Sequence, residues 1–207
     1  MPPSPPAPPS PPAPPSPPTA TYILNGDIDN NDFNVTLRRI GDSTGFSSAS
    51  VQVNGLTLGF TPYDYFYARP TTDLAPGANV EMRVTVPEGD ITAHDTLPAI
   101  TTLSAPTEGS SVSVSSALDV TWTSASDPDE FRLAYARAGD SISYSLGVAT
   151  GSARTMTIPA NTLPANTRLI CVYAVNSGTN TLTGPVSSAS TFEVNSNYAC
   201  ANFTTTP

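Results

Sequence analysis

From Thr19 onward, apolar residues recur at every second position in short runs, and turn residues separate the runs at the roughly 8–12-residue spacing of an all-β sandwich or barrel. Alternation of this kind buries one face of a strand and wets the other. It is clearest over 79–86, where Val80, Met82, Val84 and Val86 alternate with Asn79, Glu81, Arg83 and Thr85. The same reading places strands at 22–24, 34–40, 50–53, 56–60, 65–69 and 91–94. Asn54-Gly55 predicts a tight hairpin between two of them, because both residues tolerate positive φ. No part of this stretch carries a useful helical apolar period.

Residues 1–18 obey a different rule. They read MPPSPPAPPSPPAPPSPP, a Pro-Pro-x repeat in which x alternates Ser and Ala: Pro2, Pro3, Ser4, Pro5, Pro6, Ala7, Pro8, Pro9, Ser10 and onward. Proline fixes φ and lacks the amide donor, so neither a helix nor a central strand can form. Polyproline II remains, an extended arm of roughly 55 Å at ~3.1 Å per residue. With three residues per turn, the small side chains stack in one column. A stiff spacer, a ligand for a groove and a scaffold for glycans are the three roles such an arm fits. The repeat resembles the hydroxyproline-rich cell-wall glycoproteins of plants and green algae.

Beyond Pro98 the alternation resumes. Leu118, Val120 and Trp122 form one face of a strand, and Phe131, Leu133 and Tyr135 that of the next. Further strands are expected at 142–146, 155–158, 168–175 and 191–194. The run Leu118-Asp-Val-Thr-Trp122, the run Ile170-Cys-Val-Tyr-Ala-Val-Asn176 with Ser177-Gly178, and Gly184-Pro185-Val-Ser187 resemble fibronectin type III and related bacterial immunoglobulin-like domains. The resemblance departs at Ile170, where that family has a core tyrosine, and at Cys171. It implies that Ile170, Val172 and Ala174 face inward and that Leu169, Cys171 and Tyr173 face outward. That outward row needs a cover, either residues 197–207 folding back over it or a neighbouring subunit. The expected fold is all-β: two immunoglobulin-like β-sandwich domains behind a polyproline II arm, divided as arm 1–18, first sandwich 19–98, second sandwich 99–196 and C-terminal tail 197–207.

Charged residues make up only 12% of the chain, and the eight basic ones, all Arg, leave a net charge of −9. Such a chain repels nucleic acid and anionic membranes, and no basic stripe reverses this. No apolar run approaches the ~20 residues of a membrane span. Prolines follow Met1 at once, so secretion would require a signal already removed. Cys171 and Cys200 are the only cysteines. In a Ser/Thr-rich chain they suggest one disulfide in an oxidising compartment, the alternative being two buried thiols.

Catalytic and metal-binding signatures are weak. Asp27, Asp29 and Asn31 start like a calcium loop, but Asp32 replaces the turn glycine and Arg38 the closing Glu, which favours a polar turn. His94 is the only histidine and reads as a solvated strand-end residue. Asp127, Asp129 and Glu130 read as a solvated acidic turn. Asn34-Val-Thr36 and Asn202-Phe-Thr204 match the N-glycosylation pattern. The strongest surface feature is aromatic: Phe60, Tyr63, Tyr65, Phe66 and Tyr67, to which the outward Tyr173 adds a second position. These residues are candidates for a platform that takes a proline arm or a glycan.

The expectation is therefore a non-enzymatic, extracellular protein without cofactors. Its leading reading is a filament or fibre subunit that partners itself, with the arm of one copy packed on the next. The alternatives are a carbohydrate-binding or adhesive module on a spacer, and a non-catalytic appendage of a larger secreted protein.

Overall fold

The computed structural model describes residues 21–140, 143–177 and 181–207. The arm over 1–18, Pro2 to Ser10 included, lies outside the described residues. The rest is all-β, as expected, and its apolar side chains gather in two cores.

The first core is built between two layers. One contains β1 (Tyr22–Ile28), β2 (Phe33–Arg39) and β5 (Phe66–Ala68). The other contains β4 (Leu56–Phe60), β3 (Ser50–Val53), β6 (Asn79–Val86) and β7 (Gly89–Thr96). Alternation decides what each strand contributes: Leu24, Phe33 and Val35 from one layer meet Val51, Val80, Val84 and Ile91 from the other, all essentially inaccessible to water. A large apolar side chain buried in this way stabilises by about 1.5–3 kcal/mol. The predicted hairpin is present. Val53 pairs Leu56, and Asn54 and Gly55 take φ of 48° and 79°.

The second core lies between β8 (Thr101–Ala105), β10 (Leu118–Ser124) and β13 (Thr155–Ile158) on one side and β12 (Tyr144–Thr150), β11 (Glu130–Arg137) and β14 (Thr167–Ser177) on the other. This is the sandwich arrangement that the fibronectin type III resemblance implied. Trp122 packs against Phe131 with ring centroids 5.3 Å apart. Ile170, Val172 and Ala174 point inward and are fully buried.

The C-terminal part departs from the expected division. The strand expected at 191–194 is β15 (Thr191–Asn195), but it pairs in parallel with β1, and its Phe192 and Val194 belong to the first core. The chain returns along β14, which is 11 residues long and extends past the second core. The far end of β14 and the free edge of β1 together offer β15 a partner on each side. Gly26 makes room: a Cβ there would stand 2.9 Å from the Phe192 ring.

Residues 197–207, expected as a tail, contain β16 (Ala199–Thr206), which lies antiparallel to β14 and parallel to β9 (Ser110–Ser113). It extends the sheet in its own plane and contributes Phe203 to the second core, so it is not a lid over the outward face. One ribbon, β14 against β15 and then β16, thus runs through both sandwiches. Among the described residues, both cores consist of positions from Tyr22 onward.

Candidate functional site

The register defines one continuous outward face. Tyr67 pairs Asn34, Asn34 pairs Asp27, Asp27 pairs Glu193, and Glu193 pairs Ser177. Tyr173 lies four residues back along β14 on the same face, where it pairs Arg132 of β11. The outward residues of β5, β2, β1, β15, β14 and β11 therefore form a single surface across both sandwiches.

At one end stand three tyrosines. Tyr63 stacks near Tyr65 with centroids 6.5 Å apart, and Tyr65 meets Tyr67 edge-on at 6.3 Å. Tyr63 is 79% exposed. The Tyr67 hydroxyl bonds the Asp32 carboxylate, which raises the tyrosine's pKa, and Arg69 pairs with Asp32 at 3.4 Å. The two phenylalanines do not join this row. Phe66 faces the first core at 2% exposure, and Phe60 packs on its ring at 5.0 Å. Strand alternation sends Phe66 to the opposite face from Tyr65 and Tyr67, so the five-membered aromatic cluster divides into a core Phe66, a Phe60 that packs on it while 38% exposed, and the tyrosine row.

The other end carries a pair. Tyr173 lies 4.4 Å from Tyr198, whose side chain is 56% exposed. Withdrawal of the Tyr198 hydroxyl from water, reinforced by Tyr173 and the charges of Asp27 and Asp29, pushes its pKa up to about 12. Tyr198 is not among the sequence candidates, since residues 197–207 read as a tail. The alternation of Ala201 and Phe203 is the signal that marks them as a strand.

Between the two ends the polar groups are largely paired among themselves. Arg132 donates to both carboxylate oxygens of Glu193 at 2.7 Å and to Glu130 at 2.6 Å. Hydrogen bonds to Glu193, then to Glu130, hold the guanidinium pKa well above its usual value. Asn195 donates to Asp27 at 2.5 Å. Removal from water, then Glu193, raises the Asp27 pKa. Asn34 sits half-buried in the middle, and its side chain makes no hydrogen bond among the described residues. Asn202, in the other glycosylation pattern, has its amide tied to Glu108 at 3.1 Å.

The remaining sequence candidates are also placed. Cys171 and Cys200 are disulfide-bonded, directly opposite each other on β14 and β16. The Asp27–Asp32 region turns on local bonds, with the Asn31 amide donating to Asp29 at 2.9 Å. Asp127 pairs Arg154, and Asp129 accepts from the Ser177 amide at 2.8 Å. His94 lies exposed on β7 beside a hollow of about 400 Å³ lined by Gln52, Glu81 and Arg83. Among the described residues, no three of His, Cys, Asp or Glu are grouped to hold a metal. No helix among them is long and apolar enough to cross a membrane.

No family model matches the chain, and no curated protein does. Among solved structures it is similar to the fibronectin(III)-like modules of Clostridium thermocellum CbhA, at 15% identity and a TM-score of 0.34 over 88% of this chain and 90% of that one. It is also similar to the FN1-FN3 domains of chicken CNTN1, at 14% identity and a TM-score of 0.29 over 93% of this chain and 69% of that one. The sandwich assignment itself rests on the strand order and the two cores.

Proposed function

We propose that this protein is a structural, non-catalytic subunit of an extracellular filament or surface fibre, in which the proline arm of one subunit packs on the outward tyrosine face of the next. The observation that carries this reading is the outward Tyr63–Tyr65–Tyr67 row, Tyr63 exposed and the other two half-buried, with ring centroids 6.5 and 6.3 Å apart. Tyrosine rows with wet hydroxyls accept polyproline II segments: the rings lie against proline rings and the hydroxyls donate to free carbonyls.

The place where the described chain begins supports a neighbour as the acceptor. β1 starts at Tyr22, and the parallel β15 carries the chain past the Ile28 end of β1 into the second sandwich. The described chain thus begins at the end of the first sandwich away from the second. A stiff rod leaving that way has to double back to reach its own tyrosines, whereas a subunit stacked in line meets it directly. Such a head-to-tail contact need not close on itself. Sedimentation velocity at rising concentration tests the reading. The full chain should form polymers, while the chain from Thr19 and the Tyr65→Ala full chain should remain monomeric. Equal sedimentation of all three as monomers would refute it.

One observation favours a second reading, a carbohydrate-binding or adhesive module. Asp32 and Arg69 stand beside Tyr67, and an aromatic ring flanked by charged hydrogen-bonding groups suits sugar hydroxyls. A glycan array with Tyr65→Ala as control separates the two: specific glycan binding lost in the variant selects the module.

A further inference from the structure

The tyrosine row lies at the junction end of the first sandwich, and in a head-to-tail stack the neighbour's second sandwich stands in front of it. An incoming arm meets that sandwich at the Thr167 end of β14. Tyr173 is six residues further along, roughly 20 Å at ~3.3 Å per residue. Tyr67 lies level with Ser177 and four strands away, so the diagonal from Tyr173 to Tyr63 is roughly 32 Å at ~4.8 Å per strand spacing. The whole path is roughly 50 Å, within the ~55 Å reach of an 18-residue polyproline II arm.

The chemistry along that path also fits. Residues 2–18 are uncharged, and the charged groups beneath their route already have partners: Arg132 with Glu193 and Glu130, Arg69 with Asp32, and Asp27 with the Asn195 amide. A neutral ligand therefore crosses without breaking an ion pair. Polyproline II makes no internal hydrogen bonds and exposes its carbonyls. The unengaged amide of Asn34, beside Tyr67, is a donor aimed from the same face.

We infer that the arm lies across the Tyr173–Tyr198 pair before it reaches the Tyr63–Tyr65–Tyr67 row, so that one docking face spans both sandwiches of the receiving subunit. This inference rests on the arm-docking reading. It assigns Tyr198, which is exposed and outside both cores, to recognition.

The test is titration of a fluorescent peptide of residues 2–18 into the chain from Thr19, carrying in turn Tyr198→Ala, Tyr198→Phe and Tyr65→Ala. Tyr198→Ala should weaken binding about tenfold, the scale of a buried aromatic anchor, and Tyr198→Phe should restore most of it. Tyr65→Ala should weaken binding at least as much. Loss on Tyr65→Ala with no effect of Tyr198→Ala would overturn the two-sandwich path and leave arm docking standing. No loss in either variant would overturn both. Unchanged thermal unfolding of the Tyr198 variants would show that lost binding is not lost folding.

Discussion

Arg132 and Glu193 lie 61 positions apart and meet in a two-pronged ion pair across β14, 2.7 Å at each prong. Arg132 stands on β11 level with Tyr173, and Glu193 on β15 level with Ser177, so the pair passes over Val175. Val175 points outward yet is fully buried, as an apolar residue under such a strap should be. One end of the pair belongs to the second sandwich, the other to a strand of the first. The pair therefore fixes the two sandwiches relative to each other on the docking face.

Arg132→Ala should lower unfolding stability by about 1–3 kcal/mol, because it uncovers Val175 and leaves Glu193 half-buried without its partner. Urea unfolding measures the loss. Hydrogen exchange should quicken first at Asn176 and Ser177, where β14 meets β15. Unchanged protection there would show that the ion pair does not hold the junction.

Residues 19–98 alone should not fold to a stable domain. They lack Phe192 and Val194, both fully buried in the first core, and the parallel strand that covers the edge of β1. Loss of a buried Phe alone costs about 3–5 kcal/mol, against a total of about 5–15 for a typical domain. Circular dichroism and proteolysis of the fragment decide the matter. A cooperative, protease-resistant 19–98 would mean that β15 is dispensable.

Those elements show what the sequence makes legible. Strands with strict alternation were visible to within a few residues: 50–53, 56–60, 79–86 and 155–158 coincide with β3, β4, β6 and β13. β8, β9 and β16 were not, because Thr101–Ala105, Ser110–Ser113 and Ala199–Thr206 are rich in Ser and Thr and carry few apolar side chains. β15 was visible as a strand but not as a member of the first core. Phe192 and Val194 alternate equally well for either core, and only the free edge of β1, more than 160 positions earlier, selects one. The same limit applies to the site. Tyr63, Tyr65 and Tyr67 declare themselves by proximity in sequence, whereas Tyr198 reaches Tyr173 only through the β14–β16 pairing.

The disulfide closes a loop with a sequence separation of 29. In the chain-entropy model a loop of this size stabilises by about 3–4 kcal/mol. Cys171→Ala with Cys200→Ala should lower the urea midpoint accordingly. Because β16 also holds Phe203 in the second core, the variant should still unfold in one cooperative step. A separate early transition confined to the C-terminal strand would contradict that.

Stability should fall as pH rises just above the ordinary carboxylate range. Asp27, Asp29 and Asp95 are all held above the usual 3.8, first by withdrawal from water. Between that value and the raised one, the folded chain keeps protons that the unfolded chain has released, so rising pH favours unfolding. Glu88 and Asp90 act in the opposite sense. They are held below their usual values by bonds to Tyr22 and Arg83, and their contribution is lost as pH falls. Asp27→Asn keeps an oxygen for Asn195 and removes the repulsion from Glu193. It should raise the urea midpoint at pH 7 and flatten its dependence above pH 4. A lower midpoint at pH 7 would mean that the ionised Asp27 is a net stabiliser.

Electron microscopy of the full chain beside the chain from Thr19, each over a range of concentrations, tests arm-driven assembly most directly. The account predicts filaments from the full chain only, with the arm-less chain remaining as folded, separate particles. Filaments from both, or separate particles from both, would contradict it.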